Sequence, residues 1–167
     1  KETDLSFEVG GRTLIVGDGK INMPDGEIYT APITATIDGQ IYFEDPGVLG
    51  GRLMHDIRLH WEQGRLVEAS AGSNADYLQS IVQTDAGASL IGEFAFGTNP
   101  HVTRFAKDIL IDEKIGGTVH IALGRAYAES GGDNRSAIHW DIIKDIRRQG
   151  AVYLDGRVVL EGGRFHL

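Results

Sequence analysis

The run Ala137-Ile138-His139-Trp140-Asp141-Ile142-Ile143 holds a histidine and an aspartate two residues apart among apolar neighbours. On a strand, alternate side chains share a face. Ile138, Trp140 and Ile142 then point into a core, and His139 and Asp141 share the other side. That pair suits a cation, and it equally suits an Asp–His hydrogen bond at a sheet edge. Thr118-Val119-His120-Ile121-Ala122-Leu123 repeats the pattern. Val119, Ile121 and Leu123 take the core face, and His120 is left among small residues, as a ligand or as a satisfied core histidine. Gly116-Gly117 before this run and Gly124 after it permit close backbone approach. Glu93 sits among Leu90, Ile91, Phe94, Ala95 and Phe96, where a carboxylate is costly unless it is paired or holds a metal. Glu27 follows a Pro24-Asp25-Gly26 turn, at the mouth of a strand where exposed carboxylates are common. Glu113, in Ile111-Asp112-Glu113-Lys114, reads as a solvated loop charge or as an active-site base.

Together these side chains offer hard oxygen and borderline nitrogen donors, suited to zinc, cobalt or manganese. Three protein ligands with an open position is the pattern of a catalytic metal site. The donors are scattered from residue 27 to 141, with no helical HExxH motif to bring them together. The residues alone therefore point to a metal site of unspecified chemistry. The sequence has no cysteine, so thiolate ligands and disulfides are excluded. No Walker-type lysine and serine follow the glycines near 116 and 124, which leaves a phosphate loop unsupported. His55, His60, His101 and His166 read as loop, surface-strand or terminal residues.

Elements must carry these donors to one place. At 167 residues the chain is one domain's worth, able to bury about 70% of its unfolded surface. Its 23 glycines are roughly double the usual share, as in a fold of many turns. Asp4 to Val16 alternates around Gly10-Gly11 and predicts a hairpin. The turn Met23-Pro24-Asp25-Gly26 delivers a strand from Glu27 to Thr30. Thr34 to Phe43 predicts a hairpin turning at Asp38-Gly39, and Ile57 to Ala69 another with Gln63-Gly64 at its tip. Asn74 to Ala88 predicts a helix, with Asn74 as N-cap and Tyr77, Leu78, Ile81 and Val82 at helical spacing. Strands are expected over residues 90–96, 117–123 and 137–143. The tail from Ala151 reads as a meander turning at Asp155-Gly156 and Gly162-Gly163. The expected fold is α+β: a single, strand-rich, mostly antiparallel domain over residues 1–167 with few helices.

The net charge of −8 argues against nucleic acid or an anionic membrane as partner. No apolar run reaches the length of a membrane span, and no signal peptide is evident, so a cytoplasmic location is expected. A chain that begins at Lys1 reads as a processed product or an excised domain.

Four ordered blocks carry a family resemblance. They run from Asn22 to Pro32, from Gly92 to Asn99, from Asp112 to Gly124 with Tyr127 beyond, and from Asn134 to Asp141. In them the chain resembles the thermophilic-type metallo-aminopeptidases, a family that includes aminopeptidases T and S and the streptococcal PepS enzymes. The resemblance implies an exopeptidase that removes N-terminal residues from peptides with two divalent ions. By position it implies Glu27, Glu93, His120, Tyr127, His139 and Asp141 as metal ligands, and Glu113, with Tyr127, as catalytic groups. It also implies an N-terminal α/β domain, absent from this sequence, and a homodimer in the full-length form. Two other readings stand beside it. His120, His139 and Asp141 form the two-histidine, one-carboxylate set of a mononuclear iron dioxygenase of the dihydroxypyridine type. The chain could also serve as an inactive metal-binding domain.

Overall fold

The computed structural model describes residues 2–166. Among them, β1 (Asp4–Ser6), β2 (Ile15–Gly17), β3 (Glu27–Thr30), β4 (Asp38–Phe43), β5 (Gly47–Leu49) and β6 (Arg52–Met54) come first. Then follow β7 (Ile57–Glu62), β8 (Arg65–Ser70), α1 (Ala75–Val82), β9 (Ile91–Gly97), α2 (Ile109–Asp112), β10 (Val119–Gly124) and β11 (His139–Lys144). A terminal meander of β12 (Ala151–Leu154), β13 (Arg157–Glu161) and β14 (Arg164–Phe165) closes the order. The fold is the expected α+β, strand-rich class.

A four-stranded sheet in the order β1-β4-β7-β8 and a five-stranded sheet in the order β11-β10-β9-β3-β2 share one apolar core. The strand pairs in both sheets are antiparallel. The first sheet contributes Ile41, Phe43, Ile57, Leu59 and Trp61 to the core. The second contributes Ile91, Ile121, Leu123, Trp140 and Ile142, and α1 adds Leu78, Ile81 and Val82. The two buried indoles find partners in the wall: Trp61 Nε1 donates to Ser89 O at 3.1 Å and Trp140 Nε1 to Val48 O at 2.9 Å. Among the described residues, no helix is long and apolar enough to cross a membrane.

The turn before Glu27, the hairpin at Gln63-Gly64 and the terminal meander form as expected. The Asp4 to Val16 hairpin does not. Gly10-Gly11 does turn, but β1 pairs with β4 in one sheet and β2 with β3 in the other. Alternation showed two strands there and could not show which partners they take. Asp38-Gly39 is not a hairpin tip but the start of β4, whose Gly39 faces Leu5 on one side and Trp61 on the other. A side chain at Gly39 would run into the Asp4 carbonyl, so glycine here admits β1 rather than making a turn. The helix starts at Ala75 but ends at Val82, short of Ala88. Asn74 does not cap with its side chain; it takes a left-handed conformation, and its Nδ2 donates to Leu53 O at 2.7 Å. Beyond the helix, Asp85 draws the chain away by accepting from Gly87 N at 2.9 Å and Ala137 N at 2.7 Å.

Candidate metal centre

One face of the five-stranded sheet gathers the donors, and strand register explains how. Across the sheet, Glu93 and Asp141 both lie opposite Ala122. His120 lies opposite Ala95 and Ile143, and Glu27 opposite Gly97. Residues opposite each other in an antiparallel pair project to the same side, and every second residue joins them. Glu27, Glu93, His120, His139 and Asp141 thus share one face. Phe94, Ile121, Trp140 and Ile142 occupy the other, against the core. Between the donors stand Ala95, Gly97, Ala122 and Gly124, which leave the face open above the strands. The lack of a side chain at Gly97 also matters for the layer above: a Cβ there would strike the Ile115 carbonyl. That close approach lets the segment after α2 cross over the sheet and lower Glu113 onto the cluster. Gly97 N and Gly117 N exchange bonds across this crossing, to Thr118 O at 3.0 Å and Gly97 O at 2.9 Å.

The gathered groups are buried. His120 and Lys114 are fully enclosed, and Glu27, Glu93, Glu113 and Asp141 nearly so. His120 Nε2 stands 3.4 Å from Glu27 Oε2, 3.4 Å from Glu93 Oε1 and 3.9 Å from Asp141 Oδ1. His139 Nε2 lies 3.6 Å from Asp141 Oδ2. Its Nδ1 is 2.7 Å from the Arg125 carbonyl, which, with Nδ1 as the donor, turns Nε2 toward Asp141. Three trios have donor atoms within 4.8 Å of one another: Glu27, Glu93 and His120; Glu93, His139 and Asp141; Glu113, His120 and Asp141. Tyr127 reaches the cluster through its ring, whose centroid is 4.8 Å from that of His139 and 5.9 Å from that of Tyr29.

The electrostatics follow from crowding four carboxylates around one buried ammonium. Burial alone would lower the pKa of His120, but the facing carboxylates of Glu27, Glu93 and Asp141 outweigh it and push it up to about 10. His139 behaves likewise, raised to about 9 against burial, chiefly by Asp141. Burial, then repulsion from Asp141, lifts Glu113 to about 7. Burial also raises Glu93. Glu27 and Asp141 lie below their usual value despite burial, because His120 with Lys114, and His139 with His120, hold their charged forms. Such a field attracts any positive charge that fits.

A cation fits. Glu27 Oε2, Asp141 Oδ1 and both ring nitrogens of His120 are buried without a hydrogen-bond partner. Unpaired buried polar atoms are rare and costly. Of these, His120 Nε2 faces Glu27 Oε2 at 3.4 Å and Asp141 Oδ1 at 3.9 Å. Two donors at zinc-like bond lengths around a tetrahedral ion stand about 3.4 Å apart. The donor set, imidazole and carboxylate with no thiolate, suits zinc, cobalt or manganese.

The structure thus brings together Glu27, Glu93, Glu113, His120, His139 and Asp141, with Tyr127 at the rim. Glu27 is not an exposed strand-end carboxylate and Glu113 is not a solvated loop charge; both are enclosed. His55, His101 and His166 are exposed and His60 half-buried, apart from the trios. Lys114 was not singled out by sequence. A lysine between an acidic and an apolar residue looks solvated, but in the fold it is fully buried against Glu27, 87 residues away in the chain.

Comparison with known proteins follows the same pattern. The model of the thermophilic metalloprotease family (M29) matches residues 1–165. Aminopeptidase T of Thermus thermophilus is 33% identical over 172 residues, covering 88% of this chain and 40% of that protein. Aminopeptidase AmpS of Bacillus subtilis is 26% identical over 168 residues, covering 92% of this chain and 40% of that protein. The chain spans about 40% of the length of these curated relatives. Among solved structures, wild-type AmpT from Thermus thermophilus superposes with a TM-score of 0.75 at 29% identity, over 93% of this chain and 44% of that one. The 2,5-dihydroxypyridine dioxygenase of Pseudomonas putida shares the fold, with a TM-score of 0.67 at 19% identity over 84% of this chain and 43% of that one.

Proposed function

The chain belongs to the thermophilic metalloprotease family M29, and on that premise we propose that it is the metal-holding part of an aminopeptidase that removes N-terminal residues from peptides. The observation that carries this reading is the single sheet face on which Glu27, Glu93, His120, His139 and Asp141 meet, with Glu27 Oε2, Asp141 Oδ1 and both ring nitrogens of His120 unpartnered. Those five residues, with Tyr127, would hold two divalent ions, which supply Lewis acidity and a water acidified to near neutrality. Glu113 hangs over the same face within reach of His120 and Asp141, placed to take the water's proton and return it to the leaving amine. Its Oε1 is held by Lys114, so the carboxylate is aimed while its other oxygen stays available. Tyr127, half-buried beside His139 and backed by the buried ring of Tyr29, would offer an aromatic surface to a peptide's first side chain.

Glu27 and Glu93 separate this reading from a one-iron dioxygenase. A mononuclear two-histidine, one-carboxylate site needs neither, yet both are buried within the same cluster. The test is hydrolysis of a free-amine aminoacyl anilide and of its N-acetylated counterpart by the zinc- or cobalt-loaded chain. Cleavage of the free-amine substrate alone, lost on chelation, is expected. Equal cleavage of both, or oxygen consumption with one bound ferrous ion, would contradict it.

A further inference from the structure

Lys114 lies outside the donor trios, yet its side chain is fully buried against them. Its Nζ donates to Glu27 Oε1 at 2.8 Å and to Glu113 Oε1. The backbone fixes it there. Lys114 N donates to Ile111 O at 3.1 Å, and Lys114 O accepts from Asn99 N at 3.1 Å. Asn99 Nδ2 in turn donates to Asp25 O at 2.7 Å, two residues before Glu27. A buried ammonium between two carboxylates keeps its charge and its place, because removing either partner would leave a buried charge uncompensated. Lys114 is a fixed positive charge built into one end of the cluster.

That end belongs to one trio more than to the other. The ammonium bonds Glu27, a member of the trio with Glu93 and His120. It bonds no member of the trio formed by Glu93, His139 and Asp141. It also occupies one Glu27 oxygen, so that Glu27 faces His120 with Oε2 alone. A cation entering the Glu27 trio meets a like charge at close range and a carboxylate limited to one oxygen. A cation entering the His139 trio meets the same ammonium only at longer range, through its field on Asp141, and finds no donor of that trio bonded to it. Like charges repel strongly where water is excluded.

We infer that Lys114 makes the two cation positions unequal: the Glu93–His139–Asp141 position fills first, and the Glu27–Glu93–His120 position fills second with roughly tenfold or more weaker affinity. This rests on the two-cation reading above. Its consequence is regulatory. Between the two affinities the chain holds one ion, so its two-cation chemistry follows cation supply.

The test is calorimetric titration of the metal-free full chain with cobalt(II), together with anomalous diffraction from crystals given one cobalt per chain. Two resolved steps are expected, and the single ion should sit among Glu93, His139 and Asp141. K114M and K114Q remove the charge and should tighten the second step until the gap shrinks about tenfold, whereas K114R should preserve it. Thermal melting of each variant establishes that it is folded. Equal steps in the unaltered chain, a first ion at Glu27, or an unchanged gap in folded K114M and K114Q would overturn the inference. So would equal weakening of both steps, the mark of a merely structural lysine. An unaltered chain that takes up one ion or none removes the two-cation reading itself and the inference with it.

Discussion

Glu113 and Glu93 are both buried carboxylates on one cluster, and their surroundings divide their work. Glu93 belongs to two donor trios at once, so it is placed to be shared between two ions. Glu113 comes from a different layer and is tethered by Lys114. Replacing Glu113 with alanine should leave cation stoichiometry intact and reduce turnover by at least about a hundredfold, the usual worth of a positioned general base. Parallel metal analysis and peptidase assays check this, and full activity in E113A would remove Glu113 as the base. Glu93→Gln should instead lower the affinity of both binding steps, because both trios lose a charged donor. Ala122 stands opposite both Glu93 and Asp141 and is fully buried between them. Valine there should cost about 1–3 kcal/mol through overpacking. It should also weaken cation binding beyond what that destabilisation explains, as calorimetry and thermal melting measured side by side would show.

At the scale of elements, β11 presents His139 and Asp141, and its entry is set by Asp85. That carboxylate accepts from Ala137 N at 2.7 Å and Ser136 Oγ at 3.0 Å, just before the strand begins. The bond from Ala137 N, with the others, holds its pKa below the ordinary 3.8. A lowered folded-state value stabilises the fold above the unfolded pKa and ceases to do so as pH falls through the folded one. The difference in melting temperature between the unaltered chain and D85N should therefore be present at neutral pH and vanish below the folded pKa. A difference that persists at the lowest pH would show that Asp85 acts by shape rather than charge.

Alternation alone placed His139 with Asp141 and set His120 among small neighbours, because period-two patterning reports faces directly. It could not report sheet order. The separate fates of β1 and β2, and the pairing of Gly39 with Leu5, depend on partners distant in the chain. Lys114 was illegible for the same reason: it is buried against Glu27, a partner distant in the chain. The family blocks tied the scattered donors together where spacing could not.

For the whole molecule, the centre ties β3, β9, β10 and β11 to the segment after α2. Ions bound there stabilise the folded chain and not the unfolded one. At a free concentration a hundred times the dissociation constant, one ion adds about 2.7 kcal/mol. In a domain of this size that raises the melting temperature by about 5–10 °C. Scanning calorimetry with and without zinc should show this rise, and a chelator should reverse it. An unchanged melting temperature would place the ions elsewhere or nowhere.

The most direct measurement is anomalous diffraction from crystals of the chain saturated with zinc or cobalt. Two peaks are expected, one touching Glu27, Glu93 and His120 and the other Glu93, His139 and Asp141, with the Glu93 carboxylate common to both. A saturated crystal with no peak among these side chains, or with His120 and His139 contacting no ion, would contradict it.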